Sequence, residues 1–548
     1  MKYQPPRYAA APPAKPGGHH QVVVAGGGLV GLSLALDLAQ RGVPVVLLDD
    51  DDTVSVGSRA ICFAKRTLEI YDRLGLGTLL LDKGVTWNRG KIFFQEREIN
   101  AFDLLPERGH HYPAFVNLQQ YYAEAWLVEA CQAAGVELRW RHRVASVINH
   151  PDHVVVYVET PGGDYDLSCS WLLACDGARS AIRERLALPF VGRAFRDRFL
   201  IADVEMQAPF PSERWFWFDP PFHRGQSVLL HRQADDIWRI DFQLGPDADP
   251  EEEGKPERVI PRVQAMLGET KFTLDWVSIY TFRCRRLEKF VHGRVIFAGD
   301  AAHQVSPFGA RGGNGGVQDA DNLAWKLAAI LDGSGDPALL ASYDAERVFA
   351  ADENILHSTR STDFISPKSE AIRAYRDATL LLAERFEFAR PLINSGRLSL
   401  PAVLRESPLN DPAAARWNGA PQPGSPAIDA PVLRRGQKDW LLPHLGGRHF
   451  TLLAFADVAP ETRAQLRRHG IETVVIAAHE SGESDDTMLV DHEGLVYKRY
   501  GGKEAMAILF RPDQHVASVT PTIDAEHVLR VRRQILAGGF GGRAEMAA

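Results

Sequence analysis

"QVVVAGGGLVGLSLALDLAQRGVPVVLLDDDD", Gln21 to Asp52, decides the fold. Gln21 to Ala25 is a β-branched apolar run and reads as a buried strand. Gly26, Gly28 and Gly31 then fall at G-x-G-x-x-G spacing. Val30 opens a helix-periodic stretch that reaches Gln40 and stops at Gly42. Val43 to Leu48 is a second buried strand, ending at Asp49. Strand, glycine turn, helix, strand and terminal acid is the order of a dinucleotide-binding unit. Gly26 serves the tight turn, Gly28 lets backbone approach a pyrophosphate, and Gly31 lets helix and strand pack closely. The N–H groups at Leu29 and Val30 face negative charge. Asp49 is expected to bond a ribose diol, with Asp50 taking that place if the strand end slips by one. A glycine turn with only a structural role is the alternative, and this stretch alone does not separate FAD from NAD.

A chain of 548 residues exceeds one ordinary core and implies three or four structural units. Apolar content of 45 % with 24 % charged residues is that of a globular protein. A net charge of −8 argues against a nucleic-acid partner, which is met by a basic face. No apolar run reaches the length of a membrane span. Residues 1–20, rich in Pro, Ala and Gly and without an apolar h-region, read as a flexible lead-in and not a secretory signal. Five scattered cysteines without C-x-x-C spacing suit a reduced, cytoplasmic protein. The pairs His19–His20 and His110–His111 lack metal-ligand spacing, so no metal is expected.

Two later stretches complete the pattern. "WLLACDGARSAIRERL", Trp171 to Leu186, is a strand followed by Asp176-Gly177 and a helix start. "GDAAHQVSPFGARGGNGG", Gly299 to Gly316, follows the apolar run "RVIFA" and precedes a helix. With Gly26, Gly28 and Gly31, these motifs lie in the order found in the flavin-dependent aromatic hydroxylases. The chain resembles that family, the single-component FAD monooxygenases acting on p-hydroxybenzoate, phenol and 3-(3-hydroxyphenyl)propionate, over residues 20–365.

The resemblance implies FAD as cofactor and NAD(P)H as co-substrate. It implies that Asp300, beside Gly299, bonds the ribityl chain and that Pro307 sits beside the isoalloxazine. Gly312, Gly313 and Asn314 would offer N–H groups to the pyrimidine edge of the flavin, which becomes anionic on reduction. Asp176 and Gly177 match the motif linked to both FAD and NAD(P)H. Arg59, in "GSRAICF", looks like the arginine near the cofactor. Gln120, four residues before Glu124, matches the flavin-contacting glutamine.

The expected fold class is α/β: a Rossmann-type FAD-binding domain with an inserted mixed-sheet substrate domain and a C-terminal thioredoxin-like domain lacking CxxC. The FAD-binding domain takes residues 21–180 and 290–365. The substrate sheet takes 181–289 with part of 85–115, and "IWRIDFQL" within it alternates as a half-buried strand. A helical segment (366–405) and a proline-rich linker (406–437) lead to the last domain, 438–540. There "TMLVDHEGLVYKRYG" reads as a hairpin about Asp491–Gly494. The loop Ala456 to Thr462 holds no cysteine, which excludes dithiol chemistry and leaves a packing or dimerisation role, with a homodimer as the candidate assembly.

The implied reaction uses O2. Reduced flavin forms a C4a-hydroperoxide, and its distal oxygen passes to a small aromatic substrate, a phenol or aromatic acid, at a site that excludes water. A phenol gains reactivity on deprotonation, so a base is expected. His223, His231 and Tyr280 in the sheet region are its candidates, and Pro307 lies closest to the chemistry. His303 is expected to shape the flavin loop. An FAD oxidase or dehydrogenase, and a non-catalytic flavin-binding interaction protein, are the competing readings.

Overall fold

Five parallel strands carry the three motifs. In spatial order they are Val295–Phe297, Tyr165–Ala174, Gly18–Ala25, Val45–Asp49 and Glu137–Trp140. The computed structural model describes residues 4–13, 17–394, 398–416, 421–478, 487–502 and 506–540. Val22, Val23, Val24, Leu172, Leu173 and Ile296 are fully buried, as continuous apolar runs must be in a parallel sheet covered on both faces. The helices Leu29–Gln40 and Gly312–Leu331 pack on each other within the same core.

The first strand begins at Gly18, before the expected boundary, because Gly18, His19 and His20 pair with Leu167, Ser168 and Cys169. The lead-in is pinned as well: Tyr8 stacks on Trp140 at 4.4 Å and Arg7 pairs with Asp52 at 2.6 Å.

A second sheet has eight strands, ordered His303–Gln304, Thr273–Leu287, Phe190–Glu205, Ile237–Leu244, Ser227–Arg232, Arg214–Phe218, Arg89–Phe94 and Arg97–Asp103. It is mixed, since Arg214–Phe218 pairs parallel with Arg89–Phe94 while its other pairings are antiparallel. One face packs on the helix Pro256–Leu267 through Val259 and Val263. The other faces the flavin motifs through Phe199, Phe216 and Phe282, which gather around Phe308. The strand Ile237–Leu244 is therefore covered on both sides and not half-buried. Arg239 and Gln243 on its polar face are 6 % and 7 % exposed.

Among its described residues, the segment 366–405 is helical over Glu370–Arg385 and a short 3-10 turn, Glu387–Leu392. Residues 406–437 do not behave as a free linker. Leu409 and Ala430 are fully buried, and Pro431–Arg434 already pairs into the last sheet. Within that stretch, 417–420 lie outside the described residues.

The last sheet runs Gln437–Trp440, Pro431–Arg434, Met488–Val490, Ile471–Ala477, Phe450–Ala454, Ala507–Phe510 and Val516–Thr520. The expected hairpin about Asp491–Gly494 is a strand followed by a helix, Leu495–Tyr500. Gly494, at φ +69°, turns the chain, and Asp491 Oδ2 accepts the Tyr497 N–H at 2.8 Å. Val496 and Tyr500, one helical turn apart, bury into the core, and that gain outweighs a second strand.

Candidate active site

The parallel register sets the three motifs side by side. Ala25 pairs with Ala174, and Ala174 with Phe297, so the residues after each strand emerge at one carboxyl edge. Such an edge is where open α/β sheets bind ligands. Gly26 N–H donates to Leu48 O, Cys175 N–H to Ala25 O, and Ala298 N–H to Ala174 O, which locks the turns together.

The glycines divide by cause. A Cβ on Gly26 would lie 2.3 Å from Cys175 O, and one on Gly31 only 1.9 Å from Gly26 O. Both are demanded by packing of helix against strand. On Gly28 the nearest neighbour would be Glu124 Oε1 at 3.7 Å, so the protein itself leaves that space open. Leu29 N–H, at the start of the helix, donates to Glu124 Oε1 at 3.0 Å. Val30 packs under Gly299 and Gly316.

Asp49 reaches into the same loop. Its Oδ2 accepts the Gly27 N–H and its Oδ1 the Asp51 N–H, while burial pushes its carboxyl up to about 6. Asp50 is exposed. Asp176 Oδ2 accepts the Ile182 N–H at 3.1 Å, and its Oδ1 is buried without a partner. Gly177 takes φ +74°. Arg183 ties this motif to the next, donating to Ala178 O at 3.1 Å and Ala301 O at 2.9 Å.

Asp300 has a solvent-open side chain in a desolvated position, and that desolvation raises its carboxyl pKa. Gly299, at φ +61°, donates its N–H to Asp319 Oδ2 at 3.0 Å. Asp319 also accepts from His303 Nε2 at 2.7 Å and Arg347 Nε at 2.6 Å. His303 thus shapes the loop. Pro307 is exposed, and its carbonyl accepts the Ala310 N–H. The helix beginning Gly312, Gly313, Asn314 has no capping side chain, so its first-turn N–H groups are available to an acceptor. The Asn314 side chain accepts from Ala64 N–H at 2.9 Å and donates to Cys62 O at 2.8 Å and Ala310 O at 2.6 Å.

Arg59 is in the left-handed region at φ +47°, and its carbonyl accepts from Arg239 Nη1 at 2.6 Å. Gln120 Oε1 accepts the Ala60 N–H at 3.1 Å, and its Nε2 donates to Glu124 Oε1 at 2.7 Å. Glu124 and Asp319 organise the two glycine loops. Sequence reasoning touched Glu124 only as a spacing mark for Gln120 and passed over Asp319, whose sole signal is an acid on the helix after the loop.

The candidate bases separate. His223 Nε2 donates to the Gln243 carbonyl at 2.7 Å, and its ring packs on Phe242, on the sheet face turned to the Pro256–Leu267 helix. It is not brought to the flavin side. His231 is on that side but buried against Trp87 at 5.6 Å, with Asn117 Nδ2 at 3.4 Å from its Nδ1. Burial, then Arg214 and Arg239, hold its pKa well below the ordinary value, so it stays neutral. Tyr280 pairs with Phe199 on the flavin-side face. The residues that sequence reasoning missed there are Arg214 and Asp241; alternation in "IWRIDFQL" marked the polar face but gave it to solvent.

An open Gly28, the free N–H groups of an uncapped helix start, an orphaned Asp176 oxygen and the exposed Asp300 carboxylate supply the space, donors and acceptors that fit FAD. The FAD binding domain family model matches residues 19–358. A 6-methylpretetramide 4-monooxygenase from Streptomyces rimosus is 30% identical, covering 94% of this chain and 95% of that one. A 3-(3-hydroxy-phenyl)propionate/3-hydroxycinnamic acid hydroxylase from Mycobacterium sp. (strain KMS) is 27% identical over 89% of this chain and 86% of its own. Among solved structures, the flavin-dependent monooxygenase PieE, with FAD and substrate, superposes with TM-score 0.81 at 22% identity, covering 95% of this chain and all of PieE (100%). Aklavinone-11 hydroxylase, with FAD and aklavinone, gives 0.75 at 25% identity, covering 94% of this chain and 99% of its own. Fold and site define an FAD-binding flavoprotein. The chain belongs to the single-component FAD-dependent aromatic hydroxylase family, and it is a flavin-dependent monooxygenase that acts on an aromatic substrate. No helix among the described residues is long and apolar enough to cross a membrane.

Proposed function

We propose that the protein hydroxylates a phenol or aromatic acid with NAD(P)H and O2 as co-substrates. The observation that carries this reading is the meeting of three flavin motifs at one sheet edge, opposite a sheet face bearing both aromatic and charged side chains. FAD, when bound, supplies the carrier that takes hydride from NAD(P)H and activates O2 for transfer of one oxygen atom. The chain's residues do the rest. Gly28 and the N–H groups of Leu29 and Val30 bind the pyrophosphate in a turn that Gly26 and Gly31 shape, with Asp49 and Asp50 toward the adenosine ribose. Asp300 binds the ribityl chain, and Asp176 with Gly177 orients both nucleotides. Gly312, Gly313 and Asn314 direct N–H groups to the pyrimidine edge, where negative charge collects on reduction. Arg59, Gln120 and Pro307 border the ring.

Phe199, Phe216, Phe282 and Phe308, packed at 5.0 to 6.5 Å, support the exclusion of water from the reacting ring. The names of the relatives support an aromatic substrate. Five free cysteines support a reducing, cytoplasmic setting. The strand order of the last sheet, with Phe450–Ala454 and Ile471–Ala477 parallel about the Pro460–Arg468 helix, supports the thioredoxin-like reading of that region.

The test is to incubate FAD-loaded protein with NADH or NADPH and a panel of phenols and aromatic acids. Substrate-stimulated cofactor oxidation with a hydroxylated product is expected. Oxidation of the substrate without added oxygen would favour a dehydrogenase, and no cofactor consumption with any compound would overturn the reading.

A further inference from the structure

The flavin-side face of the eight-stranded sheet is arranged in rows. In one row His231 pairs with Arg239, and Arg239 with Asp203. This row is tied down: Arg239 Nε donates to Asp203 Oδ1 at 3.2 Å, and its other nitrogens to Arg59 O and Ser58 Oγ. In the next row Phe216 stands opposite Leu229, Leu229 opposite Asp241, and Asp241 opposite Ile201. Asp241 is thus a carboxylate set in an apolar row. Its Oδ1 has no hydrogen-bond partner.

Although deep enough for desolvation to dominate its ionisation, Asp241 keeps part of its surface open. The residue is therefore not sealed in a core, although Oδ1 itself is buried. Two flavin elements border this opening. Cys62, whose carbonyl is held by Asn314, is close enough to feel the charges of Arg239, Arg214 and Asp241. Phe308, from the Gly299–Gly316 loop, packs on Phe216 and Phe199. An aromatic ring lying on Phe216, Leu229 and Ile201 brings a hydroxyl to Asp241, with Arg214 over Phe216 beside it.

We propose that Asp241 takes the proton from the substrate's phenolic hydroxyl and that Arg214 holds the oxygen so exposed, an assignment that rests on the phenol-hydroxylating reading above. The substrate O–H bond breaks, its electron pair stays on the ring oxygen, and the proton forms a new O–H bond at the Asp241 carboxylate. The negative charge passes from carboxylate to phenolate. The ring becomes electron-rich, and nothing is oxidised or reduced. Burial pushes the Asp241 carboxyl up to about 7, with Asp203 reinforcing and Arg239 and Arg214 opposing. A carboxyl poised there can take and return a proton near neutral pH. The other titratable groups on this face are neutral His231, the Tyr280 hydroxyl and the thiol of Cys62, which burial pushes up to about 12.

The test titrates FAD-loaded, oxidised enzyme with 3-nitrophenol, whose anion absorbs in the visible and whose hydroxyl stays protonated in neutral solution. Difference absorbance reads the ionisation of the bound probe, and an indicator dye reads proton release. Wild type is expected to bind the probe as its anion without releasing a proton. In Asp241→Asn the bound probe should be neutral at the same pH, its anion band returning only as pH is raised. Arg214→Met should also lose the anion band. Flavin content verifies that each variant is folded, and either variant alone carries the test. A neutral probe on wild type, no saturable binding by wild type, or an Asp241→Asn protein with the wild-type band overturns the assignment. Hydroxylation of phenols by wild type with an unaltered pH profile in Asp241→Asn removes the assignment and leaves the hydroxylase reading. No hydroxylated product from any phenol removes the reading itself.

Discussion

Glu124 Oε1 accepts the backbone N–H of Leu29 at 3.0 Å, joining the helix Gln120–Ala133 to the first turn of the glycine-loop helix. The same carboxylate accepts the Ser55 N–H at 2.7 Å and is fully buried. Glu124→Ala leaves two buried N–H donors without acceptors, at about 1–3 kcal/mol each. Thermal unfolding should fall by several degrees and FAD should be lost on gel filtration. Glu124→Gln, which keeps an acceptor, should hold most of its flavin.

Gly31→Ala and Gly28→Ala should fail differently. The first drives a Cβ to 1.9 Å from a backbone oxygen, so the folded apoprotein itself should be destabilised. In the second the new Cβ meets only Glu124 Oε1 at 3.7 Å, so the apoprotein should melt as wild type does. It fills the space assigned to the pyrophosphate, so FAD affinity should drop by at least about tenfold, equivalent to ~1.4 kcal/mol. Apoprotein melting and flavin titration read the two effects separately.

Arg511 connects the last sheet to the flavin helix. It donates to Glu346 Oε2 at 3.2 Å and Asp513 Oδ2 at 2.6 Å, while Lys326 on that helix reaches Glu346 at 2.7 Å. All four are wholly buried. Removing one charge from such a cluster costs about 3–5 kcal/mol because its partners stay buried. Arg511→Met should therefore lower the melting temperature markedly and weaken FAD retention, although Arg511 is far from the flavin motifs in sequence. Unchanged flavin binding would show that the last domain does not brace the helix.

His223→Gln should leave turnover within about twofold, the range of substitutions away from functional features. Its ring lies on Phe242, across the sheet from Asp241. A large loss of kcat with flavin content intact would return His223 to the reaction.

Legibility in the sequence followed the range of each cause. Gly26 and Gly31 are needed by contacts within a few residues of the first strand–helix turn or with its neighbouring strand, so their spacing announced them. Gly494 was legible as a turn, but not as the start of a helix, because the decision lay in how Val496 and Tyr500 fill a core built by distant strands. Asp319 and Glu124 hold backbone groups 20 and 95 residues away in the chain, and local pattern carries no trace of such a bond. Asp241 shows the same limit. Its alternation with Ile240 and Phe242 identified a polar face, yet only the fold reveals that this face turns toward the flavin loop.

Insertion of oxygen into an aromatic ring, at the site where the three motifs meet, is read from the origin of the new oxygen atom. Incubating FAD-loaded enzyme with NAD(P)H, an accepted phenol and isotopically labelled O2, then weighing the product, tests it most directly. A hydroxylated product carrying one labelled oxygen atom is expected. Cofactor oxidation that ends wholly in hydrogen peroxide across the substrate panel, or a product whose new oxygen comes from water, would contradict it.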